Sequence, residues 1–156
     1  GYVPENRDIF PGLTTRQNLE LGTKSRQDMS MYRWSIEDMF NLFENLKNRA
    51  DVEASFLSGG EQQMLAVARA LARDLKLLML DEPYEGLAPV IREEIARIVV
   101  DIRDLGITTI TLEQDAMAVL QYSDRAVILD SGEIAFSGSA AEVRNNKLLR
   151  EQYLAV

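Results

Sequence analysis

The strongest constraint on the fold is a run of four apolar residues, Leu77-Leu78-Met79-Leu80, that ends in Asp81-Glu82-Pro83. A strand that is apolar at every position has no face to give to solvent. Such a strand belongs inside a parallel sheet, with a strand on each side and helices above and below. The expected fold class is therefore α/β. In open α/β sheets ligands bind at the carboxyl edge of the strands, and here that edge carries two adjacent carboxylates. One can hold Mg²⁺, directly or through water, and its neighbour can polarise a water.

One helix upstream lies Leu57-Ser58-Gly59-Gly60-Glu61-Gln62-Gln63. Ser58 suits a helix cap, and the two glycines remove side chains from the approach. A helix N-terminus with free N–H groups, a hydroxyl and no Cβ bulk makes a phosphate cradle. The helix that follows places Met64, Val67, Ala68 and Leu71 on one buried face. The two elements, in this order and joined by one helix, resemble the signature and Walker B motifs of the ABC ATPases.

The resemblance runs through the whole chain and implies a partial P-loop NTPase fold, a mostly parallel sheet with flanking helices plus a helical subdomain. Residues 13–56 correspond to that subdomain. Residues 57–156 correspond to the signature helix, Walker B strand, D-loop, switch strand, C-terminal hairpin and helical tail. A P-loop requires G-x-x-x-x-G-K-[ST], and no such string occurs. Gly22-Thr23-Lys24-Ser25 fails because Thr23 stands where glycine is needed. The N-terminal strand and P-loop are thus expected to be missing. The family's P-loop strand is expected beside Leu77–Leu80, leaving an open position there.

The implied ligands are ATP and Mg²⁺, and the implied partner is a second ABC ATPase subunit, as a homo- or heterodimer. Ser58, Gly59, Gly60 and Gln62 would close over the nucleotide held by that partner. Asp81 would bind the metal, and Glu82 would act as the catalytic carboxylate. Glu5 stands where the family carries the Q-loop glutamine. It can ligate Mg²⁺ but, ionised, cannot donate a hydrogen bond. Gln114 stands where most members carry a histidine that contacts the γ-phosphate. Its amide can donate to a phosphate oxygen but cannot carry a proton charge. Glu85-Gly86-Leu87-Ala88-Pro89 and the Glu113-Gln114 pair are similar to the branched-chain amino acid importer type. That resemblance implies a peripheral subunit on the cytoplasmic face of the inner membrane, energising transport through permease subunits. The alternative is a non-catalytic truncated fragment that only docks or dimerises.

Composition bears on the rival classes. Net charge is −8, with 17 basic against 25 acidic residues. That balance disfavours nucleic acid as a partner. A DNA-repair or chromosome-organising ABC ATPase would carry long coiled coils, which these short helices do not. The chain has no cysteine and no histidine, which removes disulfides, thiolate metal sites and the commonest general base. No apolar run is long enough to span a bilayer, so direct membrane insertion is not expected.

The remaining elements follow from periodicity. Tyr2-Val3 reads as a strand. Thr14 with Gln17, Ser35 with Asp38 and Ser139 with Glu142 have capping-box spacing. Residues 35–49 form one amphipathic helix, and 90–105 another that stops at Gly106. Ile107–Leu112 is a β-branched strand, Asp115 caps a short helix, and Arg125–Leu129 and Glu133–Phe136 pair across Asp130-Ser131-Gly132.

Overall fold

The structure, a computed structural model, describes residues 1–23, 34–73 and 75–154. The chain divides into two compact units, Gly1–Leu112 and Glu113–Val156.

The first unit is built on a parallel sheet of β1 (Tyr2–Val3), β2 (Leu77–Asp81) and β3 (Thr108–Leu112), in the order β1-β2-β3. The apolar strand β2 is central, as its composition requires. Its expected open position is not there: Met79 pairs with Tyr2 on one side and Ile110 on the other. Strand β3 runs parallel to β2 and occupies the place the resemblance had assigned to the P-loop strand. The outer edge belongs to β3 instead.

Register fixes the two faces. Val3, Leu78 and Leu80 share one face and are buried. Tyr2, Leu77, Ile110 and Leu112 share the other and are exposed. The strand is apolar on both faces, yet the described residues cover only one. The covering helices are α4 (Gly59–Leu71), packed against β1, and α5 (Pro89–Asp104), packed against β3. On α4 the predicted face Met64, Val67, Ala68 and Leu71 is buried, and so are Leu65 and Ala66. On α5 Ile95, Ile98, Val99 and Ile102 are buried, and Gly106 ends the helix with φ 85°. Only glycine adopts that conformation without strain.

Between β1 and α4 the described residues include several short helices. The first, α1 (Thr15–Thr23), starts with reciprocal Thr14 and Gln17 hydrogen bonds at 2.9 and 3.2 Å. Gly22 and Thr23 are therefore helical, while Lys24 and Ser25 lie outside the described residues. Gly22 has a packing reason. A Cβ there would stand 2.7 Å from the Arg69 carbonyl oxygen of α4. The predicted helix over 35–49 is two pieces, α2 (Ile36–Leu42) and α3 (Glu44–Lys47). Phe43 leaves helical geometry at φ −121°, ψ 69° and is only 2% exposed. Met39, Phe40, Phe43 and Leu46 are all buried on either side of the break. This stretch belongs to the first unit, whereas the predicted 57–156 part is divided after Leu112.

The second unit pairs β4 (Arg125–Asp130) with β5 (Glu133–Ser139), antiparallel, with a shift between Ile128 and Leu129. Ser131 and Gly132 both have positive φ, 50° and 84°, which matches the twist of a two-residue hairpin turn. Leu120, Ile128, Ala140 and Val143 form the core with α6 (Ala116–Leu120), α7 (Ala140–Asn145) and α8 (Lys147–Tyr153). Ser139 and Glu142 form the predicted capping box. Asp115 precedes α6, but its side chain makes no capping hydrogen bond, so that expectation fails. Among the described residues no helix is long and apolar enough to cross a membrane.

Candidate functional site

The first group of site residues is the start of α4. Ser58 is extended at φ −62°, ψ 160°, and its Oγ accepts from the Glu61 N–H at 3.3 Å. The Glu61 carboxylate accepts from the Ser58 N–H at 2.8 Å and faces Arg49 at 3.2 Å. Burial pushes the Glu61 carboxyl up, but the Ser58 hydrogen bonds and Arg49 outweigh it and hold it below its ordinary value. The amides of Gly59 and Gly60 open the helix and have no intrahelical acceptor. Gly59 is exposed, while Gly60 is buried. A Cβ on Gly60 would stand 2.5 Å from Ile91 Cγ2, so this glycine also lets α4 and α5 meet. Gln62 is half-buried and its amide is engaged. Nε2 donates to the Ala54 carbonyl at 3.2 Å, and Oε1 accepts from Arg7 at 3.4 Å.

The second group is the end of β2. Asp81 is the last strand residue, and its Oδ2 accepts from the Tyr2 hydroxyl at 2.7 Å. That hydrogen bond, with Asp81 and Glu5 as nearby negative charges, raises the Tyr2 pKa above its ordinary value. Glu5 is exposed in the turn closed by the Arg7 N–H and the Pro4 carbonyl at 2.9 Å. Among the described residues no three acidic side chains converge as a metal cage. A single carboxylate with oxygens left for water and ligand is what Mg²⁺ accepts, because it dehydrates reluctantly. The donor set at Asp81 fits that ion.

Glu82 has a left-handed backbone, φ 46°, directly before a proline. Both features disfavour glutamate there. Two hydrogen bonds impose it: the Glu82 N–H donates to the Leu112 carbonyl at 2.9 Å, and its own carbonyl accepts from the Glu85 N–H at 3.2 Å. Buried Pro83, Tyr84 and Leu87 anchor the loop that follows. A non-glycine residue held against its preference at a strand's carboxyl edge marks a site where the side chain matters.

Asp81 and Glu82 thus share one edge of the first unit with Tyr2. Gln114 is an exposed residue of the second unit, just before α6. Tyr2 and Arg7 are engaged with the predicted site residues, yet neither was singled out in the sequence. No spacing rule points to them, because both act through contacts more than 50 positions away, |i−j| 79 and 56.

The sequence profile of the ABC transporter family matches residues 1–85, more than half the chain. The chain belongs to the ABC transporter family. The high-affinity branched-chain amino acid transport ATP-binding protein BraG of Pseudomonas aeruginosa is 41% identical over 152 residues, 97% of this chain and 65% of that protein. The probable branched-chain amino acid transport ATP-binding protein LivF of Archaeoglobus fulgidus is 37% identical over 91% of this chain and 60% of its own length. The lipopolysaccharide export system ATP-binding protein LptB of Haemophilus influenzae is 31% identical over 99% and 64%. This ABC transporter chain therefore spans 60–65% of the length of these relatives. Among solved structures, a dimeric ATP-binding cassette in a post-hydrolysis state bound to ADP and Pi superposes with a TM-score of 0.75. It is 25% identical, over 90% of this chain and 62% of that one. The expected fold class, a partial ABC ATPase fold with a parallel sheet and helices, is what the structure shows.

Proposed function

We propose that this chain is part of the ATP-binding, ATP-hydrolysing subunit of an importer for branched-chain-type amino acids. The observation that carries the ATPase reading is Glu82, held in a left-handed conformation beside Asp81 at the carboxyl edge of β2. The substrate class rests on the printed names of the relatives at 41% and 37% identity. In this reading residues 13–56 are the helical subdomain and Leu57–Gln63 the signature. Bound Mg-ATP supplies the γ-phosphoryl group transferred to water.

Each residue has a defined task. Asp81 would hold Mg²⁺, which would supply positive charge beside the phosphates, and the Tyr2 hydroxyl donates to Asp81 Oδ2 and orients that carboxylate. Glu82 orients the attacking water and takes its proton on the carboxylate. Glu5 would supply a second carboxylate for the metal, and the Gln114 amide would be a hydrogen-bond donor for phosphate. The Ser58 hydroxyl and the amides of Gly59 and Gly60, with Gln62, close over nucleotide held by a second ABC ATPase subunit. Closure moves membrane permease subunits, with this subunit peripheral on the cytoplasmic face.

The test is Glu82→Gln in a protein that also contains a P-loop. Phosphate release should fall by ~10²–10⁴-fold, while ATP binding survives, because shape is kept and the proton acceptor is lost. Near-normal release by the variant would remove Glu82 from the mechanism. A wild-type protein that dimerises without releasing phosphate would favour the docking alternative.

A further inference from the structure

The loop between β1 and α1 is fastened to α4 by two arginines. Arg7 and Asp8 are consecutive non-glycine residues with left-handed backbones, φ 67° and 48°. Such a pair persists only where the surroundings over-determine it. Local hydrogen bonds take part: Arg7 N–H to the Pro4 carbonyl at 2.9 Å and Asp8 N–H to the Asn6 carbonyl at 2.8 Å. The turn delivers the Arg7 guanidinium to α4. Nε donates to Gln63 Oε1 at 3.2 Å, and Nη1 donates to Gln62 Oε1 at 3.4 Å. The same nitrogen would lie 3.5 Å from a Cβ at Gly59, so the guanidinium rests against the first residue of the helix.

Gln63 shows how much depends on this contact. It is 2% exposed, and its Nε2 has no hydrogen-bond partner among the described residues. A buried amide with one end unsatisfied is costly, and the bond from Arg7 is what satisfies its other end. Two turns along α4, Arg69 donates to the Asp8 carbonyl, pairs with its carboxylate at 3.6 Å and covers the Phe10 ring at 4.8 Å. Phe10 is held in turn by Asn18, whose Oδ1 accepts from its N–H at 2.9 Å.

We propose that Arg7 is a positioning residue: seated on the Gln62 and Gln63 amides, its guanidinium makes the Glu5 loop and the N-terminus of α4 move as one body. This rests on the ATPase reading for its consequence, which is that a displacement of Glu5 is delivered to Ser58, Gly59 and Gly60. The mechanical link itself does not depend on ATP. Lysine at position 7 could reach one amide oxygen but not fork across two.

Hydrogen exchange on the 156-residue chain tests the link, using Arg7→Ala, Arg7→Lys, Gln63→Met and the Arg7→Ala/Gln63→Met pair. Arg7→Ala should raise exchange of the hydrogen-bonded amides at positions 7, 8 and 10 and of Glu61 and Gln62 together, by ~10-fold, with β2 and β3 changed less than ~2-fold. Arg7→Lys should recover part of the protection, and the double variant should add little to Arg7→Ala, as groups in one contact do. Faster exchange in the loop alone, an equal rise in β2, or additive effects would overturn the proposal. In a protein with a P-loop, Arg7→Ala should lower kcat by ~10-fold and leave the KM for ATP within ~3-fold. An unchanged kcat would also overturn it. If that wild-type protein releases no phosphate, the ATPase reading fails, and the exchange experiment still decides the link.

Discussion

Replacing Gly22 by alanine sets two effects of opposite sign against each other. Alanine favours helix, by about 1 kcal/mol over glycine in an interior and less near an end. Gly22 sits one residue before the end of α1, so the gain is roughly half of that. Against it stands the approach of α4. The new Cβ would be 2.7 Å from the Arg69 carbonyl oxygen, 3.0 Å from Ala72 Cβ and 3.3 Å from Arg69 Cγ. The nearest atom belongs to a helix backbone and cannot rotate away. Overpacking of this kind costs about 1–3 kcal/mol. The net effect is a destabilisation of about 0.5–2.5 kcal/mol, or a melting temperature lower by about 2–10 °C for a unit of this size. Gly12→Ala is the control, because nothing lies within 4 Å of its added Cβ. Thermal unfolding followed by circular dichroism would compare the two. A Gly22→Ala protein as stable as wild type, or more so, would mean that α1 and α4 are not in this close contact.

Other outcomes follow from the same structure. The folded-state pKa of Glu61 lies below its ordinary 4.5, so its contribution to stability is present above that pH and lost as pH falls through the folded value. Glu61→Gln should therefore flatten the acid arm of a denaturation curve, and an unchanged arm would show that the capping carboxylate carries no such linkage. Ile110 and Leu112 are 44% and 41% exposed on the edge strand β3. The 156-residue chain should self-associate at micromolar concentration, and lysine at both positions should make it monomeric by sizing chromatography. A wild-type monomer would contradict this. The same polypeptide, lacking a Walker A string, should release no phosphate from Mg-ATP above background. Turnover abolished by Glu82→Gln would refute that.

Much of the fold was legible because local signals agreed with the global one. The run Leu77–Leu80 announced a central strand, the capping pairs at Thr14, Ser35 and Ser139 form as spaced, and Ser58 caps α4. What escaped depended on contacts far apart in the chain. The break at Phe43 interrupts a stripe whose periodicity over 35–49 reads as one continuous helix. The neighbour of β2 was assigned by analogy to a P-loop strand, while strand order, set by the path of α5, places β3 there. At the candidate site, the residues proposed to carry the chemistry were singled out by their motifs. Tyr2 on Asp81 and Arg7 on Gln63 could not, because each pairing joins one end of the first unit's sequence to its middle.

The twist at Glu82 has a consequence for anyone who evolves this protein in the laboratory. A left-handed residue costs of order 1–3 kcal/mol when it is not glycine, and asparagine tolerates it better than glutamate. A screen that rewards heat resistance alone will therefore drift toward Glu82→Gly or Glu82→Asn, each a gain in backbone comfort. Every step of that drift discards the carboxylate at the strand edge. Thermostable descendants would fold better than their ancestor and lack the acidic group that stands at the end of β2.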